Sequence, residues 1–348
     1  MRVLWLSPWL RPVARNCAES LRALGVDVML ITSDLHPESD AARDYERVLL
    51  GRPVPTADWV NVANAYRAAS RFKPDVVVTE LLRDPRWRVF GRLAPRIAVI
   101  HDDQPHDETH EPPWWIRSFA PWDAKADATV VFSKYVAHRV RARGQTSSPI
   151  YVAPLVTDLH PSKVPEPVPP GERRNFLLVG RQRPYKNHRV VFAAWTAHTQ
   201  SASWRNDELI IIGRGDIDSD LPPFSRWIRG GYEYSSVIQQ LAAAKGSIVH
   251  SRSASQSGVQ VMSMQLGIPT LVSSAGGLPE YQPEGLSVTG VDDVEGLASA
   301  INTLADPKQV DLQSRIAISH YRENFEPRVA AERLLDIFNA VALRSRAG

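Results

Sequence analysis

Short apolar runs alternate with helix-patterned stretches along this 348-residue chain, and the alternation starts afresh after a proline-rich interval. In the first half, strand patterns at 2–7, 26–32, 75–79, 97–100, 127–133 and 150–153 enclose helix patterns at 16–24 and 60–72 and one ending near Arg143. Gly25 stands where a C-terminal cap belongs. In the second half, strands are expected at 175–179, 208–212, 247–250 and 270–273, with helices at 187–199, 235–244, 258–266, 294–304, 312–324 and 328–343. Short apolar strands spaced by helices predict parallel sheets covered on both faces.

The interval 155–174 carries Pro161, Pro165, Pro167, Pro169 and Pro170. It reads as a stiff extended linker, with a surface loop inside one domain as the alternative. The chain is long enough for two domains, each able to bury its own core. The expected division is 1–157 and 158–327, with the tail at 328–348 joining the first domain. The fold class expected is α/β, two Rossmann-like domains facing a central cleft, with ligands at the carboxyl ends of the strands.

Composition narrows the function classes. Cys17 is the single cysteine, which excludes an intrachain disulfide framework or a cysteine-based zinc site. No apolar run approaches the 18 residues of a membrane span, and the opening "MRVLWLSPWLRP" reads as a first strand rather than a signal peptide. The expected location is the cytoplasm. A net charge of +3 is mild. It fits an ordinary basic protein, or attraction to phosphates or an anionic inner membrane face.

The chemistry concentrates after strand ends. In "VGRQRPYKN", Gly180 lets backbone approach a ligand, Arg181 can fork onto phosphate oxygens, and Lys186 adds a point charge. A solvated basic loop is the plain alternative. Gly258 and Val259 open a helix whose N–H groups suit an anion, with Ser255 or Ser257 as its cap. Gly276 and Gly277 precede Leu278-Pro279-Glu280. Glu280 either bonds a sugar or ribose hydroxyl or only complements a helix dipole.

Two first-half segments stay open. "HDDQPHDETHE" has the composition of a metal site, but its spacing matches no standard ligand set. A polar interdomain loop or a sugar site are the other readings. "PPWWIRSFAPWDAKAD" interleaves Trp114, Trp115, Ile116, Phe119 and Trp122 with Arg117 and Lys125. It suits a peripheral membrane contact through Trp114, Trp115 and Phe119, stacking on sugars or nucleic-acid bases, or plain packing into the first domain.

From about Asn175 to Phe338 the chain resembles the retaining GT-B glycosyltransferases of glycosyltransferase family 4. "VGRQRPYKN" is similar to the family's Gly-Arg loop with its later lysine, and "MSMQLGIPTLVSSAGGLPE" to its Gly-x-Pro block, with Gly267 and Pro269 fixing the register. The resemblance implies a nucleoside-diphosphate sugar as donor, a hydroxyl acceptor and no bound metal or other cofactor. It makes His101, Arg181 and Lys186 the catalytic candidates. Donor binding falls to Gly180, Gly231, Tyr232, Ser255, Ser257, Gly258, Val259, Ser263, Gly277 and Glu280, with Tyr232 stacking on the base. His101, ending the strand in "VIHDD", would reach the donor sugar from across the cleft.

Family members usually carry Glu-x7-Glu where this chain has Ser255 and Ser263. Three explanations follow: an unusual donor, contacts taken over by Ser255, Ser257 or Gln260, or retained binding without transfer. The loop after the first strand, "SPWLRPVARN", lacks the usual glycines and presents Trp9, Leu10, Arg11 and Arg15. The expected function is retaining sugar transfer by front-face attack. The alternatives are a nucleotide-sugar-binding protein without transfer, an enzyme that glycosylates nucleic acid, and a sugar-nucleotide epimerase.

Overall fold

The computed structural model describes residues 1–34, 36, 40–49, 59–82, 84–104, 119–230 and 233–347. The chain divides into two compact units, Met1–His160 with Glu326–Gly348, and Pro161–Phe325.

The first unit holds β1 (Arg2–Ser7), β2 (Asp27–Thr32), β3 (Glu46–Val48), β4 (Val76–Glu80), β5 (Arg96–Ile100), β6 (Ala128–Val131) and β7 (Ile150–Val152). They form one parallel sheet in the order β3-β2-β1-β4-β5-β6-β7. The second unit holds β8 (Phe176–Val179), β9 (Leu209–Ile212), β10 (Ser225–Ile228), β11 (Gly246–Val249), β12 (Thr270–Ser273) and β13 (Val288–Thr289), in the order β10-β9-β8-β11-β12-β13. Both sheets reverse direction of progression beside their first strand, at β1/β4 and at β8/β11. These switch points are where doubly wound sheets bind ligands.

The strands are what their residues dictate. β4 runs Val76-Val77-Val78 and β9 runs Leu209-Ile210-Ile211-Ile212, all buried. β-Branched side chains are stiff, favour extended backbone and fill both faces of a covered sheet. Each such burial contributes roughly 1.5–3 kcal/mol. The short strands β3 and β13 were not expected from the sequence. Both lie at sheet edges, where a strand needs neither length nor a continuous apolar run.

The first helix spans Arg11–Ala23, five residues longer at its start than the periodicity predicts. Pro12 fits its first turn, where an N–H is not needed. Arg11 and Arg15, one turn apart, both reach Glu46 of β3, at 2.8 and 2.7 Å. Arg11 also pairs with Asp34 and Arg15 with Asp40. The two cations thus hold a buried carboxylate in place. Desolvation alone would raise the Glu46 carboxyl, but hydrogen bonds from Arg15 and Arg11 hold it below the usual carboxylate range.

Two further expectations need correction. The start of the proline-rich interval is no free linker. Leu155, Val156 and Leu159 are buried, and Asn16 Nδ2 donates to the Thr157 carbonyl at 2.9 Å. At its far end Arg173 donates to the Gly267 carbonyl and Ser314 Oγ, inside the second unit. Phe119 is no membrane contact. It is buried in the first unit's core with Trp87 and Phe90, because Arg88 lies over its ring at 4.0 Å and Trp122 packs edge-on at 6.0 Å. Trp114 and Trp115 lie outside the described residues.

The C-terminal helix Pro327–Ala347 belongs to the first unit. Phe338 meets Trp5 edge-on at 6.3 Å, and Arg333 Nε donates to the Val152 carbonyl. Among the described residues no helix is long and apolar enough to cross a membrane.

Candidate functional site

The carboxyl edge of the second sheet is assembled from three loops, after β8, β11 and β12. Arg252 N donates to the Tyr185 carbonyl at 2.7 Å, tying the β11 loop to the β8 loop. Gly277 N donates to the Ala254 carbonyl at 3.0 Å, tying the β12 loop to the β11 loop. The residue that requires glycine in that last turn is Gly276, at φ +55°, where a Cβ would lie 1.8 Å from the Ala254 carbonyl oxygen. Gly277 has ordinary backbone, and its N–H is occupied by Ala254.

Gly180, Lys186 and Val259 converge. A methyl group built on Gly180 would lie 3.8 Å from Lys186 Nζ and 3.9 Å from Val259 Cγ2. Val259 is the second residue of the helix Gly258–Gln265. Ser257 caps that helix by accepting from Gln260 N at 3.2 Å. The N–H groups of Gly258 and Val259 have no partner among the described residues. Nothing lies within 4 Å of a Cβ placed on Gly258, so the helix start opens onto space.

Lys186 gives this site its character. It is 8% exposed, and among the described residues no carboxylate pairs with it. Desolvation alone lowers its ammonium to about 8. Its neighbours include two buried imidazoles, one of which, His188, lies 3.3 Å from Asp218. His188 and His250 are fully buried, and burial lowers both imidazoles, His250 to about 4. Asn187 amide nitrogen bonds His250 Nδ1 at 3.2 Å and the Val291 carbonyl at 2.7 Å. His188 Nε2 bonds Gln182 Oε1 at 2.9 Å, and Gln182 Nε2 donates to the Gly180 carbonyl at 2.7 Å. The loop is held rigid, with a partly desolvated cation facing a helix start. That arrangement suits a bound anion.

The other sequence candidates are placed as follows. Arg181 is exposed, and its guanidinium has no partner among the described residues. Ser255 is buried. Ser263 is completely buried, with its hydroxyl donating to the Val259 carbonyl one turn earlier at 2.7 Å. Gln260 is also sealed inside, donating to the Leu278 carbonyl and Gln282 Oε1. Of the side chains expected to take over the missing carboxylates' contacts, Gln260 therefore holds the protein together, as does Ser263 at one of the two carboxylate positions. Glu280 is exposed in the first turn of Leu278–Tyr281. Gly231 and Tyr232 lie outside the described residues.

Sequence reasoning missed Gly213 and Gly215. A Cβ on either would sit 1.8 Å from a backbone carbonyl oxygen, of Gly180 and of Gln182 respectively. Their Gly-Arg-Gly run directly follows β9, a signal of close backbone approach that was there to be read.

In the first unit, His101 follows β5. Its Nε2 lies 2.7 Å from Glu80 Oε1 at the end of β4, and Phe132 packs against its ring at 4.8 Å. Asp103 is tied to the helix Lys134–Ala142 and the turn after it through Arg139 and Arg143, both at 3.3 Å. Among the described residues no group of three or more His, Cys, Asp or Glu side chains is arranged for a metal ion. The part of that loop from His106 to Glu111 lies outside the described residues.

Two parallel Rossmann-like units of this order define the GT-B class of glycosyltransferase fold. Three solved structures illustrate it. The sucrose-phosphate synthase (tll1590) of Thermosynechococcus elongatus has a TM-score of 0.72 at 16% identity, with 98% of this chain and 99% of that one covered. Anabaena HepE in complex with UDP and glucose gives 0.67 at 14%, covering 98% and 100%. The E. coli trehalose-6-phosphate structure bound with UDP-2-fluoro glucose gives 0.65 at 9%, covering 97% and 99%. No curated protein matches the sequence significantly. Residues 12–160 match the family described as Glycosyltransferase Family 4, and residues 173–306 match Glycosyl transferases group 1. The chain belongs with the family-4-like glycosyltransferases.

Proposed function

We propose that this glycosyltransferase moves a sugar from a nucleoside-diphosphate sugar to a hydroxyl acceptor, with retention at the anomeric carbon. The observation that carries the reading is Lys186: a desolvated ammonium without a carboxylate, beside Gly180 and the uncommitted N–H groups of Gly258 and Val259. Diphosphate oxygens at that point would restore the missing counter-charge. As the glycosidic bond breaks, charge grows on the departing diphosphate, and a fixed cation stabilises it more than it stabilises the bound donor. Arg181 would add a mobile fork from solvent, and Glu280 a hydrogen bond to the sugar or ribose. The neutralising charge in this reading comes from side chains rather than a metal. Uridine is the base to test first, because HepE is seen with UDP and glucose.

A thermal-shift panel of nucleoside diphosphates and their sugars tests the reading, repeated on Arg181→Ala and Lys186→Ala. A ligand at 100 times its dissociation constant adds about 2.7 kcal/mol. A shift for one base that disappears with Lys186→Ala supports it. Absence of any shift across the panel would sink it.

One observation favours a second reading, donor binding without transfer. Neither Ser255 nor Ser263 supplies a carboxylate, and Ser263 is spent on its own helix. An oxocarbenium-like sugar would lack that stabilisation. Donor binding with no turnover on any acceptor, and no hydrolysis, would select it. The nucleic-acid reading loses support within the described residues, since Phe119 and Trp122 sit under Arg88 and Arg96 rather than open to bases.

A further inference from the structure

We propose that Glu80 is a positioning residue that locks His101 in its Nε2–H tautomer, so that Nδ1 is presented to substrate as a hydrogen-bond acceptor. The proposal rests on the reading of His101 as a group that meets the substrate, and deepens it.

The argument starts at the switch point of the first sheet. β1 and β4 are neighbours there, and β5 lies next to β4. Register pairs Trp5 with Val78 and Glu80 with Val99. Because side chains alternate along a strand, Trp5, Glu80 and His101 share one face of the sheet. Glu80 is 1% exposed, yet both its oxygens are engaged. Trp5 Nε1 lies 3.3 Å from Oε2, and His101 Nε2 lies 2.7 Å from Oε1.

An indole nitrogen can only donate, so Oε2 accepts. A carboxylate accepts at both oxygens, which leaves His101 Nε2 to supply the second proton. Burial makes such a carboxylate costly unless both donors are held. The indole is fixed from behind by Phe338, and the imidazole by Phe132. The consequence falls on the far ring nitrogen. With its proton on Nε2, neutral His101 has a lone pair at Nδ1. That nitrogen has no partner among the described residues, and the side chain keeps 11% of its surface exposed. A sugar or acceptor hydroxyl is the chemistry it would receive.

The test uses the full chain labelled with 15N-histidine. Long-range proton–nitrogen correlation at neutral pH reads the tautomer directly, with the His101 signal assigned by its loss in His101→Asn. The expected result is Nε2–H in the wild type, and a shift towards Nδ1–H in Glu80→Gln, whose one amide oxygen is claimed by the Trp5 indole and whose NH2 then faces His101 Nε2. Glu80→Asp should restore the single tautomer in part, and Trp5→Phe is a milder second probe should Glu80→Gln fold poorly. In parallel, hydrolysis of UDP-glucose should fall by roughly 100-fold in kcat in Glu80→Gln, with little change in KM. A wild-type Nδ1–H tautomer, or an unchanged tautomer in Glu80→Gln, would overturn the proposal. If UDP-glucose is neither bound nor hydrolysed by the wild type, the donor reading fails, and the tautomer measurement still decides the role of Glu80.

Discussion

The two sheets share one strand order, but their carboxyl edges are built on opposite principles. At the edge of the second sheet a desolvated Lys186 is left without a counter-ion beside an uncapped pair of N–H groups. At the first, Glu80 is saturated by Trp5 and His101, and beside the sheet Arg11 and Arg15 are compensated by Glu46, Asp34 and Asp40 together. One edge is electrostatically incomplete and the other is internally compensated. An incomplete edge is a place for a charged ligand. A compensated one holds side chains in fixed orientations and leaves recognition to hydrogen bonds and shape.

Substitutions can break this contrast, and the largest effect is steric. Gly213→Ala forces a Cβ to 1.8 Å from the Gly180 carbonyl, at a φ of +145°. The second unit should lose more than about 4 kcal/mol. Two-transition urea unfolding would show it, and a loss confined to the first unit would refute it.

Next is Glu46→Gln, which removes the shared partner of two arginines. Breaking a buried ion pair by one partner costs about 3–5 kcal/mol, and here the first unit alone should weaken. The sign with pH follows. Because the folded Glu46 carboxyl sits below its unfolded value, its contribution is present above the ordinary carboxylate pKa. It is lost as pH falls through the lowered folded value. Acid should therefore melt the first unit earlier in wild type, and that acid sensitivity should shrink in Glu46→Gln.

Lys186→Met should do the reverse of a normal active-site lesion. Holding an ammonium at about 8 against an ordinary 10.5 costs the folded state at neutral pH. Its removal should stabilise the ligand-free protein by about 3 kcal/mol while abolishing the UDP-induced shift. In the wild type, stability should rise as pH climbs from about 8 towards 10.5, where the unfolded chain holds more protons than the folded one. UDP affinity should fall over the same rise, by calorimetry. Affinity that is flat across pH 8 would remove Lys186 from the anion site.

The smallest change sharpens the comparison most. Gly258→Ala meets open space, so stability should move by less than about 1 kcal/mol. UDP binding should still weaken, as the new methyl stands at the helix start. Equal affinity would mean the anion does not sit there.

How far the chain could be read follows from where its information is local. Apolar, mostly β-branched runs such as Val76–Val78 and Leu209–Ile212 announce strands by themselves, and Gly25 marks a helix end through left-handed backbone. The Gly180–Lys186 loop and the Gly258 helix start were also legible, since a glycine after a strand and spaced cations form a local pattern. For Phe119 the sequence left a membrane contact, stacking and plain packing side by side, because the neighbours that decide for packing, Arg88, Trp87 and Phe90, come from a separate segment. Nothing local to Arg11 and Arg15 announces that β3 brings Glu46 between them.

The sequence by itself determined the two α/β units, their strand-end loops and where glycines and cations gather in them. Those depend on short-range propensity and on side-chain chemistry, which neighbours in sequence already specify. Only the tertiary structure decided which polar groups remain available. It sealed Ser263 and Gln260 inside, bound Glu80 to His101, and left Lys186 without a carboxylate among the described residues. Charge compensation is settled by which distant segments pack together, and strand and helix patterns do not encode that.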